Sequence, residues 1–345
     1  MGYPQTSPEV PRGNADAEAT HPTWLEIAEA HARIAPRIRR TPVLTSQTMD
    51  RLSGARLFFK CENLQKSGSF KIRGATNAIF SLPAEDVWQG IVTQSSGNHG
   101  AAVACAAAWR GAKAWIVMPK NAPKVKREAV EAYGGIVALC EPTMSARKET
   151  AAKIQAETGA VLVHPYDDDR IISGQATAAK ELLEDIPDLD AVLAPVSGGG
   201  LLSGTCLSAR HMRPDIRLFG CEPAKANDAY LSMQTGQLQP LESSDTIADG
   251  LRAPLAPRTF AILRRELSGV LLVSEEEIIG AMRLLWERMK IVVEPSSSIV
   301  VAPLLRKGGL DSLHLPSHGD AGAPKIGVIL SGGNVDLSAL PFDKE

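Results

Sequence analysis

The chain has 345 residues, 44% of them hydrophobic and 22% charged, with a formal net charge of −2. This is the composition of a globular protein with room for two lobes, since domains run to about 100–200 residues. The charge leaves no electrostatic footprint for nucleic acid or an anionic membrane surface, and no apolar run reaches the ~18 residues of a membrane span.

Residues 1–20 are polar and proline-rich, without the basic segment and apolar core of a signal peptide, and are expected to be disordered. Met1-Gly2 with Thr6 formally matches a myristoylation pattern, which is too loose to carry weight. Thr23-Trp24-Leu25-Glu26 is a capping-box signature, and Trp24, Ile27 and Ile34 follow at helical spacing. After Pro42 a strand is expected over 56–62, followed by the Ser/Gly-rich run Lys66-Ser67-Gly68-Ser69-Phe70-Lys71-Ile72-Arg73-Gly74-Ala75. Strands and helices then alternate. Strands are expected at 90–95, 113–118, 135–140, 160–165, 191–196 and 217–221, and helices at 99–110, 124–133, 145–157 and 173–183. A glycine loop at 197–200 opens another helix, and the polar stretch 235–258 reads as a long loop. Ser274 caps a helix to Met289, and a Gly/Pro/Asp-rich loop at 314–324 precedes a last strand at 325–330.

Short apolar strands alternating with helices define an α/β fold of mostly parallel sheets covered by helices. Cys61, Cys105, Cys140, Cys206 and Cys221 form no CxxC pair and read as buried free thiols of a reducing, cytoplasmic compartment.

Several segments carry chemistry. Lys71 lies between Phe70 and Ile72. Burial there disfavours its charged form and yields the neutral, nucleophilic amine that a Schiff base needs; the competing reading is an ordinary lysine at a helix start. Ser197-Gly198-Gly199-Gly200-Leu201 follows a strand and opens a helix, where backbone N–H groups and helix polarity favour a phosphate. It is neither a Walker A loop, lacking GK[ST], nor a dinucleotide fingerprint. Ser95-Ser96-Gly97-Asn98-His99-Gly100 occupies an equivalent strand-to-helix position and offers donors for a carboxylate; simple helix capping explains it equally well, and His99 reads as structural. Ser331-Gly332-Gly333-Asn334 ends the last strand. Glu222, the Ala226 carbonyl and Asp228 place hard oxygen ligands on one loop, suited to Mg²⁺, Mn²⁺ or Ca²⁺.

Together, GSFKIRGA, SSGNHG, HP…SGQAT, PVSGGGLLSG, EPAKAND, TIADGL, LLWERMK…EP and LSGGNVDL resemble, in order, the motifs of the pyridoxal 5'-phosphate enzymes of fold type II, the tryptophan synthase beta-like fold. The likeness runs from about residue 23 to 336 and is to the serine racemases and serine/threonine dehydratases (ammonia-lyases), including the 3-hydroxyaspartate dehydratases. It implies two lobes: a large cofactor-binding lobe of 21–85 plus 165–345, and a small mobile lobe of 86–164. It further implies that Lys71 holds the cofactor as a Schiff base and moves the α-proton. Phe70 would pack on the ring, Asn98 would bond its phenolic oxygen, and 197–201 would bind its phosphate. Ser331 would face the pyridine nitrogen. Ser95 and the adjoining residues through His99 would hold the substrate carboxylate, and Glu222, Ala226 and Asp228 a divalent cation.

A neutral hydroxyl at Ser331 makes the ring a weaker electron sink, which suits expulsion of a β-leaving group. Ser96 would face the substrate opposite Lys71, giving the pair of acid/base groups that racemisation needs; ordinary threonine dehydratases usually carry alanine there. Arg147 would bind a second, distal carboxylate, or else is a solvated helix arginine. Four positions depart from the animal racemases or the common family pattern. Tyr166 stands where the animal racemases carry asparagine. Ala101 replaces the glutamine of their nucleotide site, so ATP activation is not expected. Ser297 and Ser298 replace commoner small residues after Glu294-Pro295. The reading implied is deamination of serine, threonine or 3-hydroxyaspartate by a homodimer, alongside racemase activity. The alternatives are a dedicated racemase and a non-catalytic PLP-binding protein.

Overall fold

The computed structural model describes residues 21–315 and 322–343. The expected disorder of 1–20 and part of the 314–324 loop lie outside these.

Helix α1 (Trp24–Ile34) begins as its sequence dictates: the Thr23 hydroxyl accepts from the Glu26 N–H while the Glu26 carboxylate accepts from the Thr23 N–H. Its buried residues Ile27, Ala30 and Ile34 share one face. Short strand β1 (Val43–Leu44), helix α2 (Gln47–Ser53) and strand β2 (Arg56–Cys61) follow, and then α3 (Lys71–Phe80) and α4 (Ala84–Gln89). The next block alternates β3 (Ile91–Gln94), α5 (Asn98–Trp109), β4 (Ala114–Pro119), α6 (Lys124–Ala132), β5 (Ile136–Cys140), α7 (Met144–Thr158) and β6 (Val161–Leu162). After α8 (Asp169–Asp185) come β7 (Ala191–Pro195), α9 (Gly200–Met212), β8 (Arg217–Pro223), α10 (Asp228–Thr235), α11 (Pro257–Glu266), β9 (Gly269–Val273), α12 (Glu275–Met289) and β10 (Lys325–Leu330).

Two sheets result, ordered β1-β2-β10-β7-β8-β9 and β5-β4-β3-β6. All pairings are parallel except β1 with β2. Central strand β7 is buried along its whole length and apolar throughout, as a strand covered on both faces requires. Separate apolar clusters fill the space around each sheet.

Helix α3 belongs to both halves. Ile72, Ala75, Ala78 and Ile79 lie in the cluster of the four-stranded sheet. Its polar Arg73 turns toward β2 and α8 instead, where it bonds Glu62 and Glu181.

Besides strand β1 and helices α2, α4 and α10, which no local pattern marked, the structure departs from the sequence reading in four places. Helix α8 starts at Asp169 rather than at 173, because the Asp168 carboxylate caps it by accepting from the Arg170 N–H at 2.9 Å. The strand expected at 160–165 shrinks to two residues. Within 235–258 the chain forms a 3-10 turn at Asp249–Leu251, and α11 begins at Pro257. Strand β9 was not anticipated: its five apolar residues are too few for periodicity to mark, and only pairing with β8 defines them. All five cysteines are free and buried.

Candidate functional site

Strand ends build the site, the usual place for ligands in parallel sheets. Leu330 of β10 is level with Cys61 of β2. Beyond it the chain runs antiparallel to the segment entering α3. Ser69 bridges Gly332, the Phe70 N–H donates to the Ser331 carbonyl at 3.0 Å, and the Gly333 N–H donates to Gly68 at 2.9 Å. These bonds set Lys71, the first residue of α3, beside the Ser331 segment.

The Lys71 Nζ donates to the Pro165 carbonyl at 2.9 Å and lies 5.1 Å from the centre of the Phe70 ring. Burial pushes its amine down from 10.5 to about 8, partly opposed by the Glu294 carboxylate. Roughly a tenth of such an amine is neutral at pH 7, against a few parts in ten thousand for an ordinary lysine.

Next to Pro165, Tyr166 packs on the glycine loop. A Cβ at Gly198 would stand 2.5 Å from the Tyr166 ring, one at Gly200 2.9 Å from the Tyr166 Cβ, and one at Gly199 2.8 Å from the Thr259 Cβ. Ser197 (φ 52°) and Gly199 (φ 85°) both adopt left-handed conformations. The loop therefore presents bare backbone at the N-terminus of the 13-residue helix α9, a form that accepts a phosphate. Leu201 follows, buried, in the first turn. Burial and the nearby Asp167 and Asp228 charges push the Tyr166 phenol up to about 12, so it stays protonated.

The second strand-to-helix loop comes from β3. Ser95, Ser96 and Gly97 are half-buried, and the Gly97 N–H donates to the Ser95 hydroxyl at 3.3 Å. Asn98 opens α5 and reaches across to the six-stranded half. Its Nδ2 donates to Glu294 Oε1 at 2.8 Å, and its Oδ1 accepts from Asn334 Nδ2 at 2.9 Å. His99 is buried, with Nε2 3.2 Å from the Val163 carbonyl; burial and the Lys71 charge hold it well below its ordinary value, so it is neutral and structural. Arg147 stands apart on the first turn of α7. Its Nε is buried without a partner, and among the described residues no hydrogen bond or ion pair joins it to the Lys71 group.

Glu222 and Asp228 lie behind the glycine loop, both nearly inaccessible. The Glu222 carboxylate accepts from the Ala229 and Tyr230 N–H groups at 3.0 and 2.8 Å, and Asp228 accepts from Leu255 at 2.9 Å. Burial raises both, and Asp228 further raises Glu222. No ion pair involves either among the described residues. No group of three or more His, Cys, Asp or Glu residues there could hold a metal, so a cation would need the Ala226 backbone as third ligand.

Glu294 is the residue that sequence reasoning undervalued. It is 3% exposed, and burial together with the Asp249 charge pushes its carboxyl up to about 8. The signal was a lone carboxylate closing the apolar run Ile291-Val292-Val293 before a proline.

The residues present fit pyridoxal phosphate. The loop has room only for bare backbone, Lys71 is a depressed amine, and the Ser69 Oγ, two residues before Lys71, is buried with no hydrogen-bond partner. Comparison with known proteins agrees. The chain is 46% identical over 323 residues to the beta-hydroxyaspartate dehydratase of Paracoccus denitrificans (93% of this chain, 99% of that protein). It is 51% identical over 316 residues to a serine racemase of Arabidopsis thaliana (92% and 94%). The crystal structure of serine racemase from Dictyostelium discoideum superposes with a TM-score of 0.85 at 46% identity, covering 91% of this chain and 99% of that one. The family model described as "Pyridoxal-phosphate dependent enzyme" matches residues 34–313, and the chain belongs to that family.

Proposed function

We propose that the protein deaminates a β-hydroxy amino acid (serine, threonine or 3-hydroxyaspartate), releasing a 2-oxo acid and ammonia. The depressed Lys71 amine, set between Phe70 and the Pro165 carbonyl, is the observation that carries this reading. Lys71 and the loop 197–201 would hold the cofactor, with Phe70, Asn98 and Ser331 around its ring. When bound, pyridoxal phosphate supplies an electron sink for the pair left at the α-carbon. Lys71 Nζ would take the α-proton and return it to the departing β-hydroxyl, which leaves as water; the enamine released then tautomerises and is hydrolysed by one solvent water to the 2-oxo acid and ammonia. Ser95 through His99 bind the α-carboxylate by backbone and hydroxyl donors, and closure of the lobe 86–164 on the lobe formed by 21–85 and 165–345 excludes water. The two separate sheets support that division. Arg147 would receive a distal carboxylate.

Racemisation is the second reading, favoured by the Ser96 hydroxyl in the carboxylate loop and by relatives named serine racemases. The same reading extends to Mg²⁺ at Glu222, Ala226 and Asp228, supported by two buried carboxylates without a countercharge. It extends to a reducing, cytoplasmic setting, supported by five unbonded thiols, and to a homodimer, supported by the family resemblance alone.

The test is a panel of D- and L-serine, D- and L-threonine and threo- and erythro-3-hydroxyaspartate, assayed for keto acid and for the inverted enantiomer with and without Mg²⁺. Keto acid from at least one of them is expected; none from any would sink the lyase reading. Borohydride reduction with peptide mapping should place the cofactor on Lys71, and an adduct without any turnover would point to a carrier.

A further inference from the structure

Asn98 is held at both ends of its amide. Glu294 Oε1 takes one Nδ2 hydrogen at 2.8 Å, and Asn334 Nδ2 donates to Oδ1 at 2.9 Å while also reaching the Ser67 carbonyl at 2.8 Å. These bonds link four chain segments, two of which flank Lys71. Glu294 is itself fixed: its N–H donates to the Gly332 carbonyl at 3.1 Å, and a Cβ at Gly332 would come within 2.6 Å of its Oε1. An acceptor on one side and a donor on the other permit only one sense of the amide. In that sense Nδ2 keeps a second hydrogen free of these partners.

We propose that Glu294 is a positioning residue for Asn98, with Asn334 as its counterpart, and that together they aim the free amide hydrogen at the oxygen substituent of the cofactor ring beside Lys71. This inference rests on the reading that Lys71 carries pyridoxal phosphate. It assigns Glu294 no proton transfer; its part is to accept one hydrogen bond.

The experiment measures cofactor dissociation constants by reconstitution, with the visible spectrum of the loaded protein. Glu294→Gln keeps a side-chain acceptor of equal length, whereas Glu294→Met keeps length and removes it. The Gln variant is expected within about threefold of wild type, and the Met variant weakened about tenfold, one lost hydrogen bond of roughly 1.4 kcal/mol. In an Asn98→Ala background the Glu294→Met effect should vanish, because the group it positions is gone. Should Glu294→Met not fold, the exposed Asn334→Ala takes its place, with weakening expected in the wild-type background alone. Wild-type affinity in Glu294→Met, equal losses in the Gln and Met variants, or an effect undiminished by Asn98→Ala would each overturn the proposal. Reduction and mapping of the wild type separates the two levels: no adduct on Lys71 defeats the parent reading, whereas an adduct with unchanged variants defeats only the role of Glu294.

Discussion

Lys71 and Glu294 share one buried region, and burial moves them in opposite directions to a common range near 8. Their effects on stability then have opposite signs. The unfolded chain keeps a lysine protonated to about 10.5, while folded Lys71 releases its proton near 8, so this group favours folding increasingly from about pH 8 to 10.5. Folded Glu294 holds a proton that the unfolded chain loses near 4.5, so its contribution is present at low pH and is lost as pH rises through about 8. Urea unfolding of cofactor-free Glu294→Gln should therefore show a smaller fall in stability between pH 5 and 8 than wild type; parallel curves would refute the buried acid. Ser96 tests the balance of reactions. Ser96→Ala should cut racemisation of serine at least tenfold while elimination from the L-enantiomer falls much less, and equal losses would reject an opposite-face role.

Helix α3 owes its place to a set of charges with no access to water. Arg73 donates to both carboxylate oxygens of Glu62 at 2.7 and 2.8 Å, to both of Glu181 at 2.9 and 2.8 Å, and to Thr177 at 3.0 Å. Lys60, equally buried, donates to Glu181 and to the Thr41 carbonyl, each at 2.7 Å. Two cations thus face two carboxylates. Arg73→Met would leave Glu181 with Lys60 and His31, and Glu62 with the Thr41 hydroxyl, and a loss of about 3–5 kcal/mol is expected in urea denaturation; a loss under about 1 kcal/mol would mean the set contributes little. None of this was legible in the sequence. Arg73 reads there as a charged residue two places after a lysine, and its partners lie 11 and 108 positions away. The desolvated setting of Lys71, by contrast, was legible, because its neighbours along the chain already describe that environment. The capping box at Thr23 and the glycine loop were legible for the same reason: each is a local pattern. Strand β9 and the role of Glu294 depend on contacts between distant segments, which local patterns do not encode.

At the scale of the whole molecule, buried carboxylates without a countercharge suggest where an added ion would act. Millimolar Mg²⁺ should raise the melting temperature of wild type, since an ion at a hundred times its dissociation constant adds about 2.7 kcal/mol. Asp228→Asn should abolish the increase, and an equal rise in the variant would place the ion elsewhere. The two halves are also tied by the ion pair of Lys126, on α6, with Asp249. Alternation of strands and helices was enough to announce mostly parallel sheets, but not that one helix would be shared between the two that form. With its apolar side in the cluster of the four-stranded sheet and Arg73 bonded to Glu62, just after β2, and to Glu181 of α8, α3 would serve as the fulcrum of any turn of one half against the other. When one half turns against the other, points near the pivot travel least and points at the end of the lever arm travel most. Lys71 opens that helix, whereas Asn98, on the arm, is bonded to Glu294 and Asn334 of the other half. A turn of one half against the other would therefore have to break those two bonds, while the Lys71 amine would shift least.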